Sequence, residues 1–413
     1  MQLTINAQDN LYTSYTTPAA RIKLFRNLVN NSINKNLSFS LNDSTEDRWA
    51  EAFSALELLL YKNNWVDEKI NKAFDSLQSR SAIFQRELME LAYTNYPGIY
   101  INEISALLQE TNDPKVFAMC AEYILQVNHD GLTLDNLEET IIKKFSELPD
   151  DPLISMLSDH LLDLKFPPVP LIKNPFFPDL LSKKFLPGEI IMYSFQRSNR
   201  DHPGLVIIRD KNGDFIKDSM GQLFNVPQLA RSITNLPGYL TNGNTPQGIF
   251  RMHGFDVSMS NFIGPSPNIQ LSMPIETSMQ KFFHDETIDD TVWSKVRYKQ
   301  LLPPALKNYT PLYGSYFAGL AGRTEIISHG TTISPEYYKG KPFYPLTPSQ
   351  GCLCTKEIWN GKRIESDQQK LINALLKAGG ANGYCVVLEL DDKEQPVSII
   401  ELMHFITAAE SAK

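Results

Sequence analysis

Between Lys165 and Leu180 the chain reads KFPPVPLIKNPFFPDL, and its five prolines rule out a continuous helix there. This break separates two different patterns. Upstream, from about residue 18 to 165, apolar residues recur at helical spacing, as in Val116, Phe117, Cys120, Ala121, Ile124 and Leu125 after the start signal Asp113-Pro114. EDRWAEAFSALELLLYK (46–62), SAIFQRELMELAY (81–93), INEISALLQE (101–110) and LDNLEETIIKKFSEL (134–148) behave alike, which predicts about seven or eight helices. Short polar loops between them fit stacked helical pairs of the HEAT type or a plain bundle, and no repeated signature decides between these.

Downstream the pattern becomes extended. EIIMYSF (189–195) predicts a strand, and GLVIIRD and DFIKD flank Asn212-Gly213, a hairpin signal in which both turn residues take positive φ. YCVVLEL (384–390) and VSIIEL (397–402) read as buried strands, preceded by one helix, DQQKLINALLKA (367–378). A length of 413 residues is more than one core usually supports. The expectation is an α+β multidomain chain: an all-α domain over 1–165, a proline-rich linker over 166–184 and a mostly β domain over 185–413.

Composition narrows the function classes. Hydrophobic content of 42% excludes disorder, and 39 basic against 47 acidic residues give a net charge of −8 with no basic stripe, which excludes nucleic-acid binding. Four cysteines, at 120, 352, 354 and 385, are too few and too irregular for a disulfide scaffold, and no second Cys/His cluster completes a metal site with Cys352 and Cys354. No run is long and apolar enough for a membrane span, and MQLTINAQDN lacks the basic and apolar regions of an export signal.

The chemistry concentrates in EIISHGTTISPEYYKGKPFYPLTPSQGCLCT (325–355). Ile326-Ile327 leads into Ser328-His329-Gly330-Thr331, which puts the histidine at a strand end beside a glycine that admits close backbone approach. A loop rich in Tyr, Pro and Gly then ends at Ser349-Gln350-Gly351-Cys352. Acyl transfer needs a thiolate, a base and backbone N–H groups for the oxyanion. Cys352, His329 and the N–H groups of Gly351 and Cys352 would supply them. The same residues also fit a bland role, as a buried small cysteine and an ordinary strand-end histidine.

This segment resembles the catalytic domain of the L,D-transpeptidase (YkuD-type) family. His329-Gly330-Thr331 and Ser349-x-Gly351-Cys352-Leu353 match its signature, and Asn244-Thr245-Pro246-Gln247-Gly248-Ile249-Phe250 looks like its Thr-Pro-x-Gly-x-Phe stretch upstream. The resemblance covers about residues 185–360. It implies a curved mixed sheet and a periplasmic or cell-envelope enzyme without metal or organic cofactor. Cys352 would attack the carbonyl of the third residue of a peptidoglycan stem peptide, the terminal D-alanine would leave, and an amine from a neighbouring stem would form the cross-link. His329, oriented by the carbonyl of Gly330, would move the proton, and carbapenems would acylate Cys352. Such a location implies an export signal that precedes this sequence in the full-length gene.

Three departures from the family pattern stand out. Gln350 replaces a histidine, Cys354 replaces an Arg or Asn, and the 23-residue step from His329 to Cys352 is longer than usual. The substrate carboxylate would then fall to Arg323 or Lys356, and Tyr337, Tyr338, Phe343 and Tyr344 of the enlarged loop would wall the cleft. Thr331, Ser349, Gln350, Tyr338, Tyr344 and Arg323 are the expected substrate-binding residues. His253, 99 residues before Cys352, is expected to be structural, and Cys354, Cys120 and Cys385 to be packed thiols. Water as acceptor would make the enzyme an L,D-carboxypeptidase. The same motif would also suit a cysteine peptidase of cell-wall peptides, or a retired binding or scaffold protein whose helical domain docks a protein or glycan.

Overall fold

The computed structural model describes residues 17–148, 150–289, 292–360 and 363–411, so the stretch MQLTINAQDN lies outside the described residues. Two compact units result, one of Ile22–Pro168 with Ile233–Gly243, the other of Val169–Ser232 and Asn244–Lys413 with the residues up to Arg21.

The helical unit runs from the Ile22 end of α1 (Pro18–Asn27) through α2 (Asn36–Ser38), α3 (Glu46–Leu59), α4 (Asn64–Asp75), α5 (Ala82–Asn95), α6 (Ile101–Glu110), α7 (Pro114–Val127), α8 (Gly131–Phe145) and α9 (Pro152–Lys165). Its caps are written in the sequence. The Asp113 carboxylate accepts from the N–H groups of Lys115 and Val116, and Pro114 occupies the first turn, where no N–H is needed. Alternate helices pack side by side, α3 on α5, α5 on α7 and α7 on α9. That order belongs to stacked helical pairs rather than to an up-and-down bundle. Trp49, Phe53, Phe84, Phe117 and Tyr123 fill the interior.

Segment Ile233–Gly243 belongs to this unit although the chain on either side of it builds the other, an organisation with no sequence signal. Leu236, Tyr239 and Leu240 are buried, the Tyr239 hydroxyl donates to Glu122 at 2.5 Å, and Asn242 Nδ2 donates to Glu90 at 2.8 Å. Removing residues 1–168 should therefore strand roughly 2 kcal/mol of burial per large side chain in water. The expected product is aggregation-prone. Joining Ser232 to Asn244 by a short glycine linker, their ends being held by a 2.8 Å bond from the Ser232 N–H to Asn244 Oδ1, should restore a monomeric, cooperatively melting sheet domain. Equal solubility of the two truncations on size exclusion would count against this partition.

The second unit contains β1 (Ile191–Gln196), β2 (Gly204–Arg209), β3 (Val226–Gln228), β4 (Gly248–Asp256), β5 (Asn268–Ser272), α10 (Met279–Phe283), α11 (Lys295–Leu301), α12 (Gly314–Leu320), β6 (Ile327–Thr331), β7 (Leu353–Asn360), β8 (Arg363–Ser366), α13 (Asp367–Ala378), β9 (Tyr384–Glu389) and α14 (Ile399–Ser411). The general α+β expectation holds. The strands form a nine-stranded mixed sheet of order β3-β2-β1-β9-β4-β5-β6-β7-β8, in which β1–β9 and β6–β7 are parallel. The sheet curls on itself, because Leu229, just past β3, exchanges two 2.8 Å backbone bonds with Cys354 of β7. Leu371, Ile372 and Leu375 of α13 pack with Met192, Val206, Phe250, Leu353 and Val387 on one face of the sheet. On the other, Tyr193, Phe195, Ile249 and Val386 meet Leu402 and Ile406 of α14.

Three local expectations change. VSIIEL is not a strand; from Ile399 it starts a helix, whose Leu402, Ile406 and Ala409 are buried while Ile400 is 80% exposed. The spacing of three and four residues continues past 402 and overrides the β-branched start. At Asn212-Gly213 only Gly213 takes positive φ (+87°), because the Asp210 carboxylate gathers the N–H groups of Asn212 and Asp214 and makes its own turn. His329 lies in the middle of β6, opposite Cys354, rather than at a strand end.

Candidate active site

Strand alternation decides which side chains share a face. Parallel pairing of β6 and β7 sets His329 against Cys354 and Gly330 against Thr355. His329 is 3% exposed; its Nδ1 lies 2.9 Å from the carbonyl of Gly330, so Nδ1 carries the proton and Nε2 is the free lone pair. Nε2 faces the sulfur of Cys354 at 3.7 Å. Burial disfavours the imidazolium, but the Cys354 sulfur, the Gly330 carbonyl and the carboxyl of Glu357 outweigh it, and the pKa of His329 rises above its ordinary value.

Cys352 sits elsewhere on the same segment. It is half-buried, and its sulfur points to the carbonyl of Glu325 at 3.6 Å rather than to His329. Burial raises its pKa, opposed by the backbone of Ile327, the Arg323 guanidinium and the Ser349 hydroxyl. Gly351 takes φ +114°, a left-handed conformation that a side chain would strain. The turn this allows brings the N–H groups of Gly351 and Cys352 together on one oxygen, the Ser349 hydroxyl, at 3.3 and 2.8 Å. The two amides expected to bind an oxyanion both donate to this side chain.

Around this turn, Arg323 is buried and donates from Nη1 to the carbonyl of Asn244 at 2.6 Å; burial brings its pKa down to about 10, with Cys352 pulling the other way. Thr245 Oγ1 donates to the carbonyl of Gly351 at 2.8 Å, so the Thr-Pro-x-Gly stretch buttresses the cysteine turn. Thr331 Oγ1 bonds Thr347 Oγ1 across the loop. Tyr338 and Phe343 are buried and packed on each other, with ring centroids 5.7 Å apart, and Arg231 stacks on Phe343. Both rings lie inside the fold rather than forming an exposed wall, and burial raises the pKa of Tyr338. Tyr344 is exposed and donates to Glu336; Gln350 is exposed; Lys356 faces Glu365 at 3.8 Å. His253 hydrogen-bonds Ser272 on the neighbouring strand at 2.6 Å, away from this cluster.

Two features had no clear sequence signal. Cys354 reads as a packed thiol, yet the parallel register makes it the sulfur nearest the histidine. Glu357 is 1% exposed behind β6, where Ser266 donates to its Oε1 from both N–H (3.1 Å) and hydroxyl (2.6 Å), and burial brings its pKa up to about 7. Comparison with protein-family models, with characterised proteins and with solved structures finds no match to this chain.

Proposed function

We propose that the chain is a cysteine acyl transferase of the L,D-transpeptidase type acting on peptidoglycan stem peptides, with His329 as base and Cys352 as nucleophile. The observation that carries the reading is the convergence of the Gly351 and Cys352 amides on a single oxygen next to a half-buried cysteine, since donors aimed at one point are what a tetrahedral intermediate requires. Cys352 would leave the Glu325 carbonyl, pass its proton to His329 and attack the stem carbonyl. A C–S bond forms and the C–N bond to D-alanine breaks, the leaving amine taking the proton from the imidazolium. An acceptor amine then attacks the thioester, gives its proton to His329 and frees the thiol. Ser349 would yield its place to the substrate oxygen. Arg323, buried beside Cys352, would hold the carboxylate. The site belongs to the cell envelope on this reading, and no cofactor takes part.

A second reading makes Cys354 the nucleophile, favoured by its 3.7 Å contact with Nε2. Against it stands access: Cys354 is fully buried, with both backbone groups bonded to Leu229. A stem tetrapeptide bearing a diamino acid at the third position tests the function. D-alanine release with a transient acyl adduct is expected; cleavage without any adduct, or inertness, would overturn it.

A further inference from the structure

Glu357 is the buried acid that the reaction above does not use. A methyl group at either Gly330 or Gly264 would overlap its Oε2, so the two glycines exist as a slot for this carboxyl. The slot is tied to the histidine. The carbonyl of Gly330 accepts both from His329 Nδ1 and, at 2.7 Å, from the N–H of Gly264. Oε1 is satisfied by Ser266, whose hydroxyl is 2.9 Å from that of Ser366, and Ser366 also helps hold the carboxyl ionised, whereas Oε2 is buried without a hydrogen bond of good geometry. A fully buried carboxyl half unsatisfied is costly and calls for a use.

We propose that Glu357 is a positioning residue for His329: wedged between Gly330 and Gly264, it fixes the peptide that holds Nδ1, and its negative charge favours the imidazolium during the reaction. The inference rests on His329 being the base, as proposed above. The charges acting on the carboxyl are His329 from β6 and Arg21 from α1; those acting on His329 are Glu357 and the Cys354 sulfur. When Cys352 gives up its proton, the positive charge appears on a buried ring, and the Glu357 carboxyl on β7, which the imidazolium itself draws toward its ionised form, offsets that cost without touching substrate.

The test reads His329 directly. The imidazole proton resonance of His329, assigned by its loss in His329→Gln, is followed against pH in the full chain. Glu357→Gln keeps the shape and the Ser266 bonds but removes the charge; the His329 midpoint should fall by about one unit, with the other histidines unmoved and the melting temperature within a few degrees of wild type. Glu357→Asp should recover part of the shift. Ser266→Ala, which withdraws a donor that favours ionised Glu357, should lower the midpoint in the same direction by less. An unchanged midpoint in the folded Glu357→Gln protein overturns the inference, even if stem peptides are turned over. A shifted midpoint in a protein that never forms an acyl adduct sinks the proposed function and leaves the inference standing.

Discussion

Cys352→Ala is expected to abolish covalent capture of a stem peptide or a carbapenem, a loss of at least about three orders of magnitude, whereas Cys354→Ser should keep the adduct. The argument turns on three separate requirements. Access favours Cys352, which is half-buried while Cys354 is not exposed at all. Oxyanion geometry also favours Cys352, because its own N–H and that of Gly351 already converge on Ser349 Oγ. Only the base contact favours Cys354, at 3.7 Å from Nε2. His329→Ala removes the base under either assignment and should cost about 10²–10⁴ in acylation rate, the usual worth of a positioned acid–base group. Intact mass after carbapenem exposure, with peptide mapping across Pro348 to Lys356, reads all three variants. Loss of the adduct in Cys354→Ser with retention in Cys352→Ala would move the nucleophile by two positions. No adduct on wild type would favour a retired site, or one closed by Tyr338 and Phe343.

Much of the fold was legible because it depends on local signals. Asp113-Pro114 starts α7, and the apolar spacing over 367–378 is helix α13 to the residue. The proline-rich stretch stops the helical pattern, α9 ending at Lys165, although its Leu171, Phe177 and Leu180 are not linker but join the core beneath the sheet. What escaped is nonlocal. Nothing within SHGTT tells that β6 will lie parallel to β7 in the register that joins His329 to Cys354, since register is set by the facing strand. Gly330 reads as a glycine that lets another backbone approach closely. Its real cause is Glu357, 27 residues on, whose carboxyl occupies the space a side chain would need. The same holds for segment Ile233–Gly243, whose apolar residues Leu236, Tyr239 and Leu240 find their core among helices more than a hundred residues earlier. The site was readable as a set of residue types and only partly as a geometry: Arg323, Ser349 and Gly351 gather around Cys352, while Tyr344 and Gln350 stay at the surface.

The helical unit should lose stability as pH rises, the reverse of ordinary acid denaturation. Glu90 is 4% exposed, beside the equally buried Glu57, and burial together with the neighbouring acid Glu87 brings its pKa up to about 8, against the bond from Asn242 and the charges of Lys115 and Arg86. Glu57 shifts in the same direction, with burial as its main cause and Glu90 adding to it. A carboxyl of this kind keeps its proton in the folded state after the unfolded chain has released it near its ordinary value of about 4.3. Between those two values the native state therefore binds more protons, so the free energy of unfolding falls with rising pH; the contribution is complete in acid and gone above about pH 8. For Glu90 the loss is on the order of 3 kcal/mol, after discounting for its coupling to Glu57. Glu90→Gln should keep an oxygen for Asn242 Nδ2 and has no proton to lose, so it should raise stability at alkaline pH and flatten roughly half of the slope, leaving the part due to Glu57. Urea unfolding of the helical transition, followed by far-ultraviolet circular dichroism across that pH range, measures both curves. A wild-type midpoint that holds steady or climbs with pH, or a Glu90→Gln curve parallel to it, would show that the pair is relieved by solvent and that the loop bearing Asn242 is held by packing alone.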